Sequence, residues 1–356
     1  MNNILILGGT GAMGKYLTQL LADRSRIVVT TRKKRTSLGN VSYIQGDAHD
    51  LCFLKLLLND NFDVIIDFMG YTTDEFRKRF LLLLDSCKQY MFLSSARVYS
   101  GVDGLITEET PRLLDVCMDE EYLATDEYAL AKARQEDMLK NSERNNWTII
   151  LPYITYGENR LQLGVLEKER WLYRAIHGRT VIFSEDIGDK FTTLTYGYDV
   201  ARGIFSLIGQ KEALGEIFHI TSNKSLRWSE VLDIYLSAIA DKIGKKPKVL
   251  YLNEYPVFSW QVSKDRIYNR RFDTNKIGNF IDISTFADFN DGLKKCIANM
   301  IENPLFEEIS WREEAYFDYL SSEYSTMSEM SCIKQQVKYL FYRLLVYRLK
   351  RILHCI

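Results

Sequence analysis

Short apolar runs alternate with helically spaced apolar positions through the first half of the chain. Strand-length runs fall at residues 4–7, 26–32, 41–45, 63–70, 89–95 and 147–152. Between them the spacing predicts a helix starting near Ala12 (apolar at Tyr16, Leu17, Leu20 and Leu21), and others over 51–58, 76–84 and 121–141. This alternation predicts a parallel sheet with right-handed crossovers. After residue 160 the rhythm loosens. Helix 165–177, strand 180–184, helix 198–208, strand 216–220 and helix 228–241 come with longer loops. Residues 272–276 read as a strand or loop returning to a smaller lobe, and a helix follows near 286–301. The expected division is a sheet domain over 1–160 with returning segments near 190–220, an interleaved lobe over 161–300, and a helical extension over 301–356.

Ligands of such sheets lie beyond the carboxyl ends of the strands, and the chain places its unusual residues there. The first strand runs into Gly8-Gly9-Thr10-Gly11-Ala12-Met13-Gly14. Glycines three apart between a strand and a helix form a tight turn whose N–H groups and helix end meet a pyrophosphate. A side chain at Gly11 would hold the phosphate away, and one at Gly14 would push the helix off the sheet. The second strand ends in Thr31-Arg32-Lys33-Lys34-Arg35 in place of a carboxylate. A hydroxyl and cations suit a 2′-phosphate, which favours NADP over NAD; a solvated basic loop is the alternative. Asp47, followed by Ala48, either reaches an adenine ring or caps the next helix. Phe68 and Gly70 end the fourth strand, where Gly70 allows close approach to a cofactor, and Ser94-Ser95 end the fifth. In helix 121–141, Tyr128 and Lys132 lie one turn apart on one face.

Composition narrows the classes. The 356 residues carry a net charge of −1, which gives no basic excess for DNA or general nucleic-acid binding. The six cysteines (52, 87, 117, 296, 332 and 355) are scattered, with no C-x-x-C pair and no clustering with the four histidines. A reduced, cytoplasmic setting without a metal site is expected. No apolar stretch is long enough to span a bilayer, and residues 4–7 are too short for a signal core.

Taken together, the motifs resemble the extended short-chain dehydrogenase/reductases, the nucleotide-sugar epimerase/dehydratase group. The matches are the glycine turn, Gly46-Asp47, Ser94-Ser95-Ala96-Arg97-Val98-Tyr99, Tyr128 with Lys132, 151–157 (Leu-Pro-Tyr-Ile-Thr-Tyr-Gly), Tyr198-Asp199-Val200-Ala201 and Gly215-Glu216-Ile217-Phe218. They keep the family's order over about residues 3–300. The resemblance implies an α/β fold, a Rossmann-type doubly wound parallel sheet with a smaller α/β substrate lobe. It implies Tyr128 as acid/base, Lys132 as the cation that lowers its pKa and holds the nicotinamide ribose, and Ser95 on the reacting oxygen. Gly8, Thr10, Gly11, Ala12, Met13, Gly14, Thr31, Arg32, Asp47, Ala48, Phe68, Gly70 and Lys132 would hold NAD or NADP. Ser95, Arg97, Tyr153, Thr155 and Lys190 would face a nucleotide-sugar substrate. Family dehydratases carry an Asp-Glu pair where Ala96-Arg97 stand, so an epimerase or 4-ketosugar reductase is expected instead. Thr192 stands where many members have an arginine on the nucleotide diphosphate, with Lys190 nearby as a substitute, and Leu151 replaces another usual arginine. The changed clamp keeps a second reading open, a non-catalytic member that senses a dinucleotide or binds RNA or another partner. The family also implies a homodimer through helices near 73–88 and 121–141.

The tail lies outside this resemblance. Residues 302–331 are acidic and aromatic; residues 332–356 carry Lys334, Lys338, Arg343, Arg348, Lys350 and Arg351 and no acid. Phe341, Leu345, Leu349 and Ile352 fall near one helical face. Two readings follow: a basic helix on an anionic membrane surface, or one docked on the body or paired with the acidic stretch.

Overall fold

The computed structural model describes residues 2–347. The chain divides into two compact units. One comprises residues up to 157, 190–226 and 259–292; the other comprises 158–189, 227–258 and 293 onward.

The first unit is built on a parallel sheet of seven strands. Six are β1 (Asn2–Leu7), β2 (Ser25–Thr31), β3 (Val41–Gln45), β4 (Phe62–Asp67), β5 (Cys87–Leu93) and β6 (Trp147–Leu151). The order across the sheet is Glu216–His219, β6, β5, β4, β1, β2, β3. The direction of winding therefore reverses between β1 and β4, where Leu7 pairs with Asp67, and a crevice opens beyond the strand ends at such a reversal. Helices α1 (Gly14–Leu21) and α2 (Leu51–Leu57) follow β1 and β3. Leu17 and Leu21 of α1 and Val200, Ile204 and Leu207 of helix Gly197–Leu207 close over Ile4, Ile6, Val29 and Ile66 in one core cluster. Each such aliphatic side chain contributes about 1.5–3 kcal/mol relative to exposure.

Two expected helices are divided and a third is shortened. The helix over 76–84 is two, α3 (Thr73–Arg77) and α4 (Phe80–Asp85). Thr72 and Glu75 form a capping box, and Arg79 in the break turns its guanidinium to the carbonyls of Glu75, Ala48 and His49. The helix over 121–141 is likewise Glu120–Leu123 and Tyr128–Lys140. Between them Asp126 accepts from the Thr73 N–H at 2.9 Å, and Glu127 caps the second helix through the Ala129 N–H at 2.8 Å. Of the helix over 165–177 only Leu172–Ile176 forms; Gln162–Leu163 and Leu166–Glu167 pair as a hairpin about Gly164, whose φ of +59° suits a tight hairpin turn. Phe272, read as returning to a smaller lobe, pairs with Ile106 in the sheet unit, and Lys276 reaches Glu216 at 2.6 Å.

In the second unit, Val181–Ser184 and Val249–Leu252 form a parallel pair, and Trp171 stacks on Tyr235 of helix Trp228–Ile243 with ring centroids 4.4 Å apart. Helix Trp311–Ser321 and helix Ile333–Leu340, which continues as a π-turn over Phe341–Val346, pack around Trp311, Met330, Tyr339 and Tyr347. Arg174 is fully buried and meets Glu314 at 2.9 Å and Asp318 at 2.8 Å; Arg179 meets Glu329 at 2.9 Å. Of the basic tail, Arg348, Leu349, Lys350, Arg351 and Ile352 lie outside the described residues. Among those described, no helix is long and apolar enough to cross a membrane, and no group of three His, Cys, Asp or Glu could hold a metal ion.

Candidate active site

The glycine turn is shaped by contacts a side chain would break. Gly8 has φ +68° and donates its N–H to the Thr30 hydroxyl at 3.0 Å. A Cβ on Gly14 would lie 2.5–2.6 Å from the backbone of Gly9, so α1 starts directly against the end of the turn. A Cβ on Gly11 would meet nothing within 4 Å, and the same holds at Gly70. Gly11 is exposed, and Thr10, Ala12 and Met13 are half-buried beside it. The turn is pressed to the sheet on one side and open on the other. Met13 is the helix cap and offers no side-chain acceptor; the N–H groups of Lys15 and Tyr16 turn to the carbonyls of Gly11 at 3.3 Å and Met13 at 3.1 Å.

At the other end of the rim, Thr31 is buried, and its hydroxyl is engaged with Lys33, donating to the carbonyl at 2.9 Å and accepting the N–H at 3.2 Å. Arg32 is exposed. Of the two uses open to Asp47, capping belongs to Asp50, which accepts from the N–H groups of Cys52 and Phe53. The Asp47 carboxylate accepts the local His49 N–H at 3.0 Å and stays exposed; Ala48 beside it is buried.

Lys132 ties the centre of the rim together. It is 2 % exposed, and its ammonium donates to the carbonyls of Leu93 at 2.7 Å and Met69 at 3.3 Å. Those carbonyls end β5 and follow β4, between Phe68 and Gly70 on one side and Ser94-Ser95 on the other. A Cβ on Gly8 would lie 2.9 Å from the Met69 sulfur, which brings the glycine turn to the same place. Burial pushes the Lys132 pKa down to about 8, against the opposing pull of Asp67 and Glu136. The motifs assign neither acid a role. Asp67 ends β4 fully buried; it accepts from Tyr90 at 2.8 Å and the Met69 N–H at 2.9 Å, and burial raises its pKa. Glu136, one turn beyond Lys132, accepts from the Ser94 hydroxyl and from Arg112, and its pKa is also raised by burial. Ser95 is nearly buried and caps the short turn Ala96–Val98 through the Arg97 N–H at 3.3 Å. Tyr128, first residue of its helix, is 44 % exposed, and the Lys132 nitrogen lies 6.0 Å from its ring centroid.

The model of the NAD dependent epimerase/dehydratase family matches residues 4–221, more than half of the chain and the whole glycine–serine–tyrosine–lysine framework. The chain belongs to this family. Among solved structures it is similar to an epimerase from Methanothermobacter thermautotrophicus, at TM-score 0.66 and 16% identity over 85% of this chain and 93% of that one. It is also similar to the dTDP-glucose 4,6-dehydratase from Bacillus anthracis in complex with NAD, at TM-score 0.65 and 18% identity over 85% and 97% of the two chains. A curated relative, the chloroplast stem-loop binding protein of 41 kDa b from Arabidopsis thaliana, is 26% identical over 239 residues. That match covers 62% of this chain and 59% of that protein's length.

Within the family frame, the departures fall around Arg97 and Thr192. Arg97, in place of the dehydratase glutamate, is 14% exposed. It pairs with Glu127 at 2.6 Å, and its guanidinium carbon lies 5.3 Å from the Tyr128 ring centroid. Glu127 also accepts from the Tyr122 hydroxyl at 3.1 Å. Tyr153 is buried in a cluster that no motif announced, donating to Asp265 at 3.0 Å and accepting from Arg266 at 2.7 Å, while Arg270 meets Asp265 at 2.7 Å. Its hydroxyl is therefore already engaged. Thr155 is buried, with its hydroxyl 3.8 Å from the Met13 sulfur. Lys190 is half-buried. Thr192 is fully buried, with no partner for its hydroxyl among the described residues, so the position of the usual diphosphate arginine is internal here.

Proposed function

We propose that the protein is an NAD(P)-dependent nucleotide-sugar epimerase or 4-ketosugar reductase, with Tyr128 as acid/base. The observation that carries this reading is Lys132, an ammonium enclosed between Leu93 and Met69 one helical turn from the half-exposed Tyr128. Two of its three N–H groups have carbonyl acceptors, and the third has none among the described residues. A buried cation with a donor to spare beside a phenol stabilises the phenolate, which is what proton exchange with a sugar hydroxyl at neutral pH needs.

The turn residues fit a dinucleotide. The open side of Gly11 and Gly70 leaves space at the backbone, and a helix N-terminus starting directly against the turn suits a pyrophosphate. Gly8, Thr10, Gly11, Ala12, Met13 and Gly14 would hold it, with Phe68, Gly70 and Lys132 toward the nicotinamide end. Thr31, Arg32, Asp47 and Ala48 would lie toward the adenosine end. The exposed Arg32 favours NADP, although the Thr31 hydroxyl is spent on Lys33. When bound, the nicotinamide supplies hydride transfer at the sugar carbon. Ser95 would hydrogen-bond the reacting oxygen. Arg97 would face the substrate while fixing, through Glu127, the cap on which Tyr128 begins. Thr155 and Lys190 remain substrate-side candidates, and the engaged Tyr153 would shape that side.

The experiment is to denature the purified protein and identify any released nucleotide by absorbance and mass, then assay it with nucleotide sugars and 4-ketosugars. Retained NAD supports epimerase; empty protein that oxidises NADPH with a 4-ketosugar supports reductase. Failure to bind either dinucleotide at millimolar concentration ends the reading. Tyr128→Phe is expected to lower kcat by about 10²- to 10⁴-fold with dinucleotide affinity unchanged. A second reading takes its support from the relative named for stem-loop binding: a member that binds structured RNA. Retarded migration of a stem-loop RNA by protein inactive on every sugar would favour it.

A further inference from the structure

The helix that ends the described chain has two faces, and the other described residues pack on one of them. On the inner face, Tyr339 donates to Asp318 at 2.7 Å and accepts the Ser325 N–H at 2.8 Å. Arg343 donates to the Glu323 carbonyl at 3.1 Å, and Tyr347 donates to the Arg312 carbonyl. These contacts hold the segment down. On the outer face, Ile333, Val337, Leu340, Phe341, Leu344 and Leu345 are 75, 60, 37, 50, 38 and 53% exposed. Steps of three, four and seven residues put them on one continuous stripe over both the α-helix and its π-turn. Single exposed apolar residues need no explanation, but six in a row along a docked helix do.

We propose that this stripe lies on the surface of an anionic lipid bilayer. Charge argues for that occupant. Lys334 and Lys338 are exposed and each follows a stripe residue, and residues 332–356 contain six cations and no acid. A second copy of the chain is the less suitable partner, because a two-fold pairing of this helix would bring like charges together with no acid on the segment to offset them. The geometry is that of a helix lying in the interface. The stretch over 333–347 is about 22 Å long, short of the roughly 20 apolar residues a span requires. Apolar side chains on one side with lysines at the margin are the pattern that inserts at the headgroup boundary.

The test is flotation of the full-length protein with vesicles of phosphatidylcholine alone and of phosphatidylcholine with phosphatidylglycerol. The protein is expected to float with the anionic vesicles, and roughly tenfold less with the neutral ones or in high salt. The V337D/F341D variant, altered only at exposed positions, is expected to stay at the bottom while melting like the parent. K334Q/K338Q is expected to lose roughly tenfold on anionic vesicles and little on neutral ones. The proposal is overturned if the parent floats with neither vesicle, or if V337D/F341D floats as the parent does. A concentration-dependent dimer that V337D/F341D dissolves, with no lipid binding by the parent, assigns the stripe to a second copy and equally overturns it.

Discussion

Each unit of the molecule buries a cluster of charges, and the two are composed in opposite ways. In the first, the guanidinium groups of Arg97, Arg266 and Arg270 surround the carboxylates of Glu127 and Asp265. In the second, Arg174 and Arg179 are set among Glu314, Asp318, Glu323 and Glu329. The side in excess bears the strain in each case. Burial, with the neighbouring Arg97 and Arg270, brings Arg266 down to about 10. Burial and the nearby Asp318 bring Glu314 up to about 7. The cationic cluster borders the half-exposed Tyr128, whereas the acidic one joins helix Trp311–Ser321 to Arg174 and Arg179 from earlier in the chain. A buried ion pair is weak evidence of net stability, but removing one partner is costly wherever the other has no alternative. The two clusters differ in those alternatives.

The largest expected effect follows from this. Arg174→Met leaves Glu314 to Arg179 at 3.6 Å and Asp318 to the hydroxyls of Ser325 and Tyr339, yet it removes the guanidinium that neutralises both and is expected to lower stability by about 3 kcal/mol in urea titration. Arg97→Met is expected to lose no more than about 1–2 kcal/mol, because Glu127 keeps the Tyr122 hydroxyl and the Ala129 N–H. The reverse ranking would show that Glu127 depends on its guanidinium more than Glu314 and Asp318 do on theirs.

Next in size is pH. Folded Glu314 holds its proton to about 7, whereas the unfolded group releases it near 4.5. Its contribution is therefore fully present below pH 4.5 and is lost as pH rises through 7, a fall of up to about 3 kcal/mol. Glu314→Gln is expected to flatten that slope in thermal unfolding. Lys132 acts with the opposite sign in a separate window. Its folded pKa near 8 lies below the ordinary 10.5, so its burial penalty is full below pH 8 and is relieved between 8 and 10.5. Turnover that depends on the ammonium is expected to fall on an alkaline limb near pH 8.

The smallest effect on stability is expected at Glu127. Glu127→Gln keeps a capping oxygen and removes a charge, so stability is expected to change by about 1 kcal/mol or less. The Tyr128 it supports is expected to lose roughly tenfold in kcat with KM nearly constant. A change in KM alone would place Arg97 and Glu127 in binding and not in positioning.

Much of the sheet was legible because buried parallel strands advertise themselves as apolar runs. β3 and α2 fall at or within one residue of the expected boundaries. The breaks were not legible because polar side chains make them. Nothing in the 121–141 spacing distinguishes Asp126 and Glu127 from ordinary surface acids until Thr73 and Arg97 arrive from elsewhere to meet them. The 162–167 hairpin did carry a signal, Gly164 between apolar residues, which helical periodicity obscured. At the site, Lys132 and the glycine turn were visible from motif spacing. Asp67 and Glu136 were not, since a carboxylate at a strand end or mid-helix becomes notable only through burial. The Asp265–Arg270 cluster lies more than a hundred residues from Tyr153, beyond the reach of any local pattern.

The interruption at 124–127 has a kinetic consequence. A gap between two helices is ordinarily where a chain loosens first. Here Asp126 is gripped by Thr73 and Arg134, and Glu127 by Arg97, Tyr122 and the next turn of backbone. The segment that presents Tyr128 is thus set at the moment of folding, and an incoming molecule meets a finished wall. With Tyr128 as the acid/base proposed above, arrival, and not loop rearrangement on this side, is expected to govern how quickly an encounter becomes productive.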